Sequence, residues 1–148
     1  MEKPFVLLVD DNEATCTLIT ALLHKDFNIE VAADGLEALE QLRTKTYATV
    51  ILDLRMPHLD GYGVLDFLRD NNPEVLRRVL VVSAALTRAE IARVKTYDVC
   101  AIISKPFEVD TLLSAVKQCV DDPSASRGSM FTSGVILFLA DLLRQRLM

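Results

Sequence analysis

Three aspartates, two serines and a lysine stand where chemistry on a phosphoryl group would need them. Asp10 and Asp11 follow the apolar run FVLLV, Asp53 follows TVIL, Ser83 follows VLVV, and Ser104 and Lys105 follow AII. A carboxylate can serve as a nucleophile toward phosphorus, and a lysine is a compact positive charge for phosphoryl oxygens, to which a hydroxyl can donate. Three crowded carboxylates repel one another and raise at least one pKa unless a cation neutralises them. Mg2+ suits that role, because it prefers octahedral oxygen ligands, keeps several waters and takes one or two carboxylates plus phosphate oxygens.

Such residues form one site only if the elements beneath them converge. Strands are expected near 5–9, 29–32, 48–52, 79–82 and 101–103, where Val and Ile are dense and the lengths suit strands. Between them lie segments of helical period. Leu18, Ile19, Leu22 and Leu23 make one apolar face, and Val64, Leu65 and Leu68 another. Val109, Leu112, Leu113, Val116 and Val120 give the clearest helix. Pro57, Asp60 and Gly61 mark a loop after the third strand, and Asn71, Asn72 and Pro73 a turn before the fourth. Five βα units in succession give a parallel sheet with helices on both faces, since right-handed crossovers are almost obligatory. In a doubly wound sheet of this kind, ligands bind outside the carboxyl ends of the strands, where strand order reverses. The polar residues listed at the strand ends fall there.

The length of 148 residues allows one domain with a good core and leaves no room for a second catalytic domain. The formal net charge of -5 leaves no basic stripe for a nucleic-acid backbone, so direct DNA or RNA binding is not expected. No apolar stretch approaches the ~20 residues of a membrane span, and the N-terminus MEKP shows no secretory signal. Cys16, Cys100 and Cys119 are odd in number and form no C-x-x-C pair, which reads as reduced, buried thiols in the cytoplasm.

Taken singly, each polar residue has an ordinary structural reading. Asp11 or Asn12 could cap the first helix, Ser83 could be a turn hydroxyl, and Lys105 a solvated loop lysine. His58 reads as a loop residue and His24 as a helix end, with no second His or Cys at metal-ligand spacing. Together the residues carry a resemblance. VDD after the first strand, LDLRMPHLDG around Asp53, Ser83 after the fourth strand and KPF at 105–107 make residues 4 to about 121 resemble the receiver domain of two-component response regulators, the CheY-like family.

The resemblance implies a flavodoxin-like, doubly wound five-stranded parallel sheet in the order 2-1-3-4-5. It implies that Asp53 is the phosphoacceptor, that Asp10 and Asp11 hold Mg2+ with Asp53 and the backbone carbonyl of Arg55, and that Ser83 is the switch hydroxyl. Lys105 would pair with the phosphoryl group and form a cis peptide with Pro106. The phosphoryl donor would be a sensor histidine kinase or phosphotransfer protein, and the output a surface change read by a downstream protein. Family members commonly pair through their fourth and fifth helices, which makes a homodimer one expected form.

Three departures from the family pattern stand out. Ile102 replaces the aromatic switch residue three positions before the lysine, so the familiar coupling of Ser83 to an aromatic is lost. Asp98 stands where the helix before the fifth strand usually ends on Gly. Arg55 and Ala85 occupy the variable positions that tune phosphoryl lifetime in the family. Beyond residue 121 the resemblance ends. Residues 122–148 read as a polar linker, DDPSASRGS, and an amphipathic helix with Ile136, Leu139, Ala140, Leu143 and Leu147 on one face.

A haloacid dehalogenase-type phosphatase would need a second acid two residues after its nucleophile, where this chain has Arg55, and the chain has no P-loop. The reading is therefore a phosphoacceptor rather than a turnover enzyme, either a stand-alone regulator or a receiver cut from a larger protein. The alternative is a degenerate receiver used as a phosphorylation-independent binding module, which Ile102 keeps open.

Overall fold

The computed structural model describes residues 2–84, 86–122, 129–132 and 135–137. The strands are β1 (Phe5–Val9), β2 (Asn28–Ala32), β3 (Thr49–Leu52), β4 (Val79–Ala84), β5 (Ala101–Lys105), β6 (Ser129–Thr132) and β7 (Val135–Leu137). The helices are α1 (Glu13–Leu23), α2 (Gly35–Thr44), α3 (Gly61–Asn71), α4 (Pro73–Leu76), α5 (Arg88–Lys95) and α6 (Val109–Asp121). Strands β1 to β5 are parallel in the order 2-1-3-4-5, as the βα alternation implies. The turn foreseen at 71–73 is the junction between α3 and the one-turn α4, with Pro73 at the start of α4, where a missing N–H costs nothing.

The strands read as unbroken apolar runs because both faces of the sheet are covered. One face carries Leu7, Val9, Val50, Leu52, Val81 and Ile102 against helices α2, α3 and α5. The other carries Val6, Leu8, Ile51, Leu80 and Ile103 against α1 and α6, through residues such as Ile19, Leu23, Leu112 and Val116. Local sequence starts the helices. Asn12, Asp34 and Asp60 accept hydrogen bonds from the third residue of α1, α2 and α3, and Thr87 with Glu90 makes a reciprocal capping box on α5. Leu18, placed by periodicity on the buried face of α1, is half exposed instead.

Two expectations are corrected. Cys100 and Cys119 are not reduced thiols but joined by a disulfide that ties the start of β5 to the last turn of α6; Cys16 is free. Counting cysteines missed the pair because the bond depends on which helix turn lies over which strand. The second concerns the tail. At 129–132 and 135–137 the chain forms strands rather than a helix, β6 parallel to β5 and β7 antiparallel to β6. These strands satisfy edge N–H and C=O groups of β5, and the β-branched Val135 and Ile136 favour strand. Residues 138–148 of the expected helix lie outside the described residues.

Asp98, which stands where the family usually has Gly, keeps a negative φ. His58 (φ 67°) is the non-glycine residue with positive φ among the described residues, so Asp98 does not enter the left-handed region. The Thr96 N–H closes α5 onto the Arg93 and Val94 carbonyls, and Asp98 accepts from Arg77 at 3.0 Å.

Candidate functional site

Strand register brings the acids together. Val9 pairs with Leu52 across β1 and β3, so Asp10 and Asp53 leave adjacent strands side by side, at the point where strand order reverses. Ser83 and Ser104 are partners across β4 and β5, as are Ala84 and Lys105, which sets the hydroxyl and the ammonium on the flank of the same crevice. The Lys105–Pro106 peptide is cis. Gly61 is required by this packing: a Cβ there would lie 2.4 Å from the Asp53 carbonyl oxygen and 2.7 Å from Leu54 Cα.

Ligand oxygens of Asp10, Asp11 and Asp53 lie within 4.8 Å of one another, with Asp10 and Asp53 buried and Asp11 exposed. Lys105 Nζ stands 2.7 Å from Asp10 Oδ2 and 3.7 Å from Asp53 Oδ2. Ser83 Oγ donates to Asp53 Oδ1 at 3.1 Å. Asn12, not Asp11, caps α1, accepting from the Thr15 N–H, while its own N–H donates to Asp10 Oδ1. Capping therefore makes no claim on the Asp11 carboxylate.

Burial pushes the Asp53 carboxyl above the usual carboxylate range and Asp10 adds to the rise, while Lys105 and the Ser83 hydrogen bond oppose it. The Cys16 thiol, which donates to the Asp10 carbonyl, is pushed up to about 11 by burial and then by Asp10. The donor set is entirely oxygen, carries three carboxylates and opens to solvent at Asp11, which fits Mg2+.

Ile102, at the aromatic switch position, is completely buried among Val81, Val94, Tyr97 and their neighbours. Ala85 lies outside the described residues. The Arg55 N–H points at Asp53 Oδ1 across 3.5 Å, but its guanidinium turns away to Glu90 on α5, with Nη2 2.9 Å from Oε1. Sequence reasoning missed Glu90. Its only signal was T-x-x-E at 87–90, a capping box, and its pairing with a residue 35 positions earlier depends on the fold. Also missed was the His58 ring, 2.7 Å from Asp34 Oδ2, which links the β3–α3 loop to the start of α2.

Residues 6–117 match the family model described as the response regulator receiver domain, and this chain belongs to that family. Over 116 residues, 78% of this chain, it is 29% identical to the transcriptional regulatory protein ZraR of Escherichia coli (strain K12). The chain spans about a quarter (26%) of the length of that curated relative. Among solved structures, the receiver domain of Francisella response regulator 1452 superposes with a TM-score of 0.74 at 28% identity, covering 80% of this chain and 98% of that one. The receiver domain of the sensor histidine kinase PA1611 from Pseudomonas aeruginosa PAO1, with a magnesium ion coordinated in its active site cleft, has a TM-score of 0.73. It is 23% identical and is covered completely by 82% of this chain, a likeness of fold. The chain is thus a receiver domain, a signalling module of two-component systems, and no helix among the described residues is long and apolar enough to cross a membrane.

Proposed function

We propose that Asp53 accepts a phosphoryl group from the phosphohistidine of a sensor histidine kinase or phosphotransfer protein, and that the modified domain signals through a changed surface. The observation that carries this reading is the joint geometry at Asp53. One of its oxygens takes the Ser83 hydrogen bond at 3.1 Å, and the other faces Lys105 Nζ at 3.7 Å. A carboxylate oxygen attacks phosphorus, the P–N bond to the donor imidazole breaks, and the imidazole keeps the electron pair. Phosphoryl transfer is largely a matter of position and charge, and the chain supplies both. Lys105 would pair with the phosphoryl oxygens once drawn from Asp10, and Ser83 would donate to one of them.

Mg2+ would be held by Asp10, Asp11, Asp53 and the Arg55 carbonyl, where it supplies positive charge for the phosphoryl oxygens and the crowded acids. Asp53 itself carries the product of the transfer as an acyl phosphate, while Asp10, Asp11 and Lys105 are left chemically unchanged, so we read the domain as a phosphoacceptor rather than a turnover enzyme. We place this exchange in the cytoplasm. A second reading, a phosphorylation-independent binding module, draws on Ile102, whose burial leaves no aromatic to turn in or out.

Acetyl phosphate with Mg2+ distinguishes the two. Intact mass is expected to rise by one phosphoryl group, with Asp53→Asn unlabelled. Undiminished labelling of Asp53→Asn would move the acceptor away from Asp53, and no labelling of the wild type would leave the binding-module reading in its place.

A further inference from the structure

We infer that Arg55 reports the state of Asp53 to α5 by exchanging between two anions: the Glu90 carboxylate, its partner in this structure, and a phosphoryl group on Asp53. This deepens the phosphoacceptor reading and rests on it.

Glu90 has two tasks. Its Oε1 receives Arg55 Nη2 at 2.9 Å, while its Oε2 accepts the Thr87 N–H at 3.1 Å and the Thr87 hydroxyl accepts the Glu90 N–H. One carboxylate therefore closes the cap of α5 and grips the loop that follows the phosphoacceptor. Thr87 is only four residues beyond Ser83, so the same short segment carries the hydroxyl on Asp53 and the cap on α5.

The pair is suited to exchange. Arg55 is 63% exposed at its side chain, and an ion pair so open to water is weak and easily given up. Arg55 lies two residues from Asp53, with its backbone N–H already facing that carboxylate. A phosphoryl group there carries more charge than a carboxylate and accepts a guanidinium through two parallel hydrogen bonds.

Glu90 would not be stranded by the loss. Arg93, one turn along α5, lies 3.7 Å over the ring of Tyr62 from α3. The Tyr62 hydroxyl is buried and has no hydrogen-bond partner among the described residues. Burial and then the Glu90 charge raise its pKa, which places that charge within electrostatic reach of the hydroxyl. Arg93 and the Tyr62 hydroxyl are thus replacement partners that would shift the first turn of α5. With Ile102 sealed in the core, this polar cluster is the route from Asp53 to the outer face of α5.

Glu90→Gln separates the two tasks, because Gln at this cap position still accepts the Thr87 N–H but no longer holds Arg55 by charge. Beryllofluoride with Mg2+, titrated calorimetrically, is the probe. Glu90→Gln is expected to bind it about two- to fivefold more tightly than wild type, the range an exposed ion pair supports. In an Arg55→Ala background the same change is expected to have no effect. Hydrogen exchange in the first turn of α5 is expected to rise with beryllofluoride in the wild type and not in Arg55→Ala. Equal effects of Glu90→Gln with and without Arg55, or unchanged affinity, would overturn the exchange while leaving Asp53 as phosphoacceptor. Failure of the wild type to bind beryllofluoride or to be labelled by acetyl phosphate would remove the underlying reading as well.

Discussion

At the scale of single residues, Asp53 shows how a site can be held at the expense of the fold. Its carboxyl is raised above the unfolded-state value of about 3.9, chiefly by burial. For a raised pKa, the contribution to stability is fully present below the unfolded pKa and is lost as pH rises through the folded one. Without metal, the wild type therefore carries at pH 7 a cost that Asp53→Asn lacks. The variant is expected to melt a few degrees higher at pH 7, with the gap closing as pH falls toward 4. Saturating Mg2+ should reverse the order. A metal-free Asp53→Asn that melts lower at pH 7 would contradict this balance. Asp10, Asp11, Asp53, Ser83 and Lys105 were legible because each follows an apolar run, and a parallel sheet gathers such ends. Glu90 was not, since nothing local pairs it with Arg55. Nor was the left-handed backbone of His58, a residue type whose need for positive φ has no sequence mark.

At the scale of elements, two joints hold the site's strands in register. Gly61 lets α3 start against the backbone of Asp53 and Leu54, where contact distances of 2.4 and 2.7 Å to a Cβ leave nothing flexible to yield. Gly61→Ala is expected to cost about 1–3 kcal/mol, typical of overpacking, and to weaken Mg2+ binding by moving Asp53. Denaturant unfolding with a Mg2+ titration would check both, and a wild-type result in each would show that the loop adjusts. The other joint is the Cys100–Cys119 bond, which closes 19 residues of chain and on the chain-entropy model contributes about 3 kcal/mol. Replacing both cysteines by Ala is expected to lower Tm by about 10 °C. The same loss should appear in wild type after reduction, and a Tm unmoved by either would mean the bond does not constrain the unfolded chain. Periodicity placed the helices well, from Val64, Leu65 and Leu68 on α3 to Leu112 and Val116 on α6. It misjudged the tail, because Val135 to Leu137 fits a helical stripe and a short strand equally and only the free side of β5 decides between them.

At the scale of the whole molecule, the two hydrophobic layers and the crevice are complete within β1 to α6. Strands β6 and β7 extend the sheet on the side of β5 away from β4. Asp10 and Asp53 directly follow β1 and β3, which lie four and three strands from β6, and among the described residues none of the hydrogen bonds at Asp53 comes from beyond Lys105. A chain ending at residue 122 is therefore expected to fold, to bind Mg2+ within about twofold of the full chain, and to be labelled at Asp53 by acetyl phosphate, a difference under about 0.4 kcal/mol. Its cost should fall on β5, where Ala101, Ile102 and Ile103 lose their pairing with Ser129, Met130 and Phe131. Hydrogen exchange should rise at those amides directed toward β6 and stay unchanged in β1 and β3. If the shortened chain loses Mg2+ binding or labelling, the residues beyond 122 belong to the site's framework, and the receiver does not end at α6.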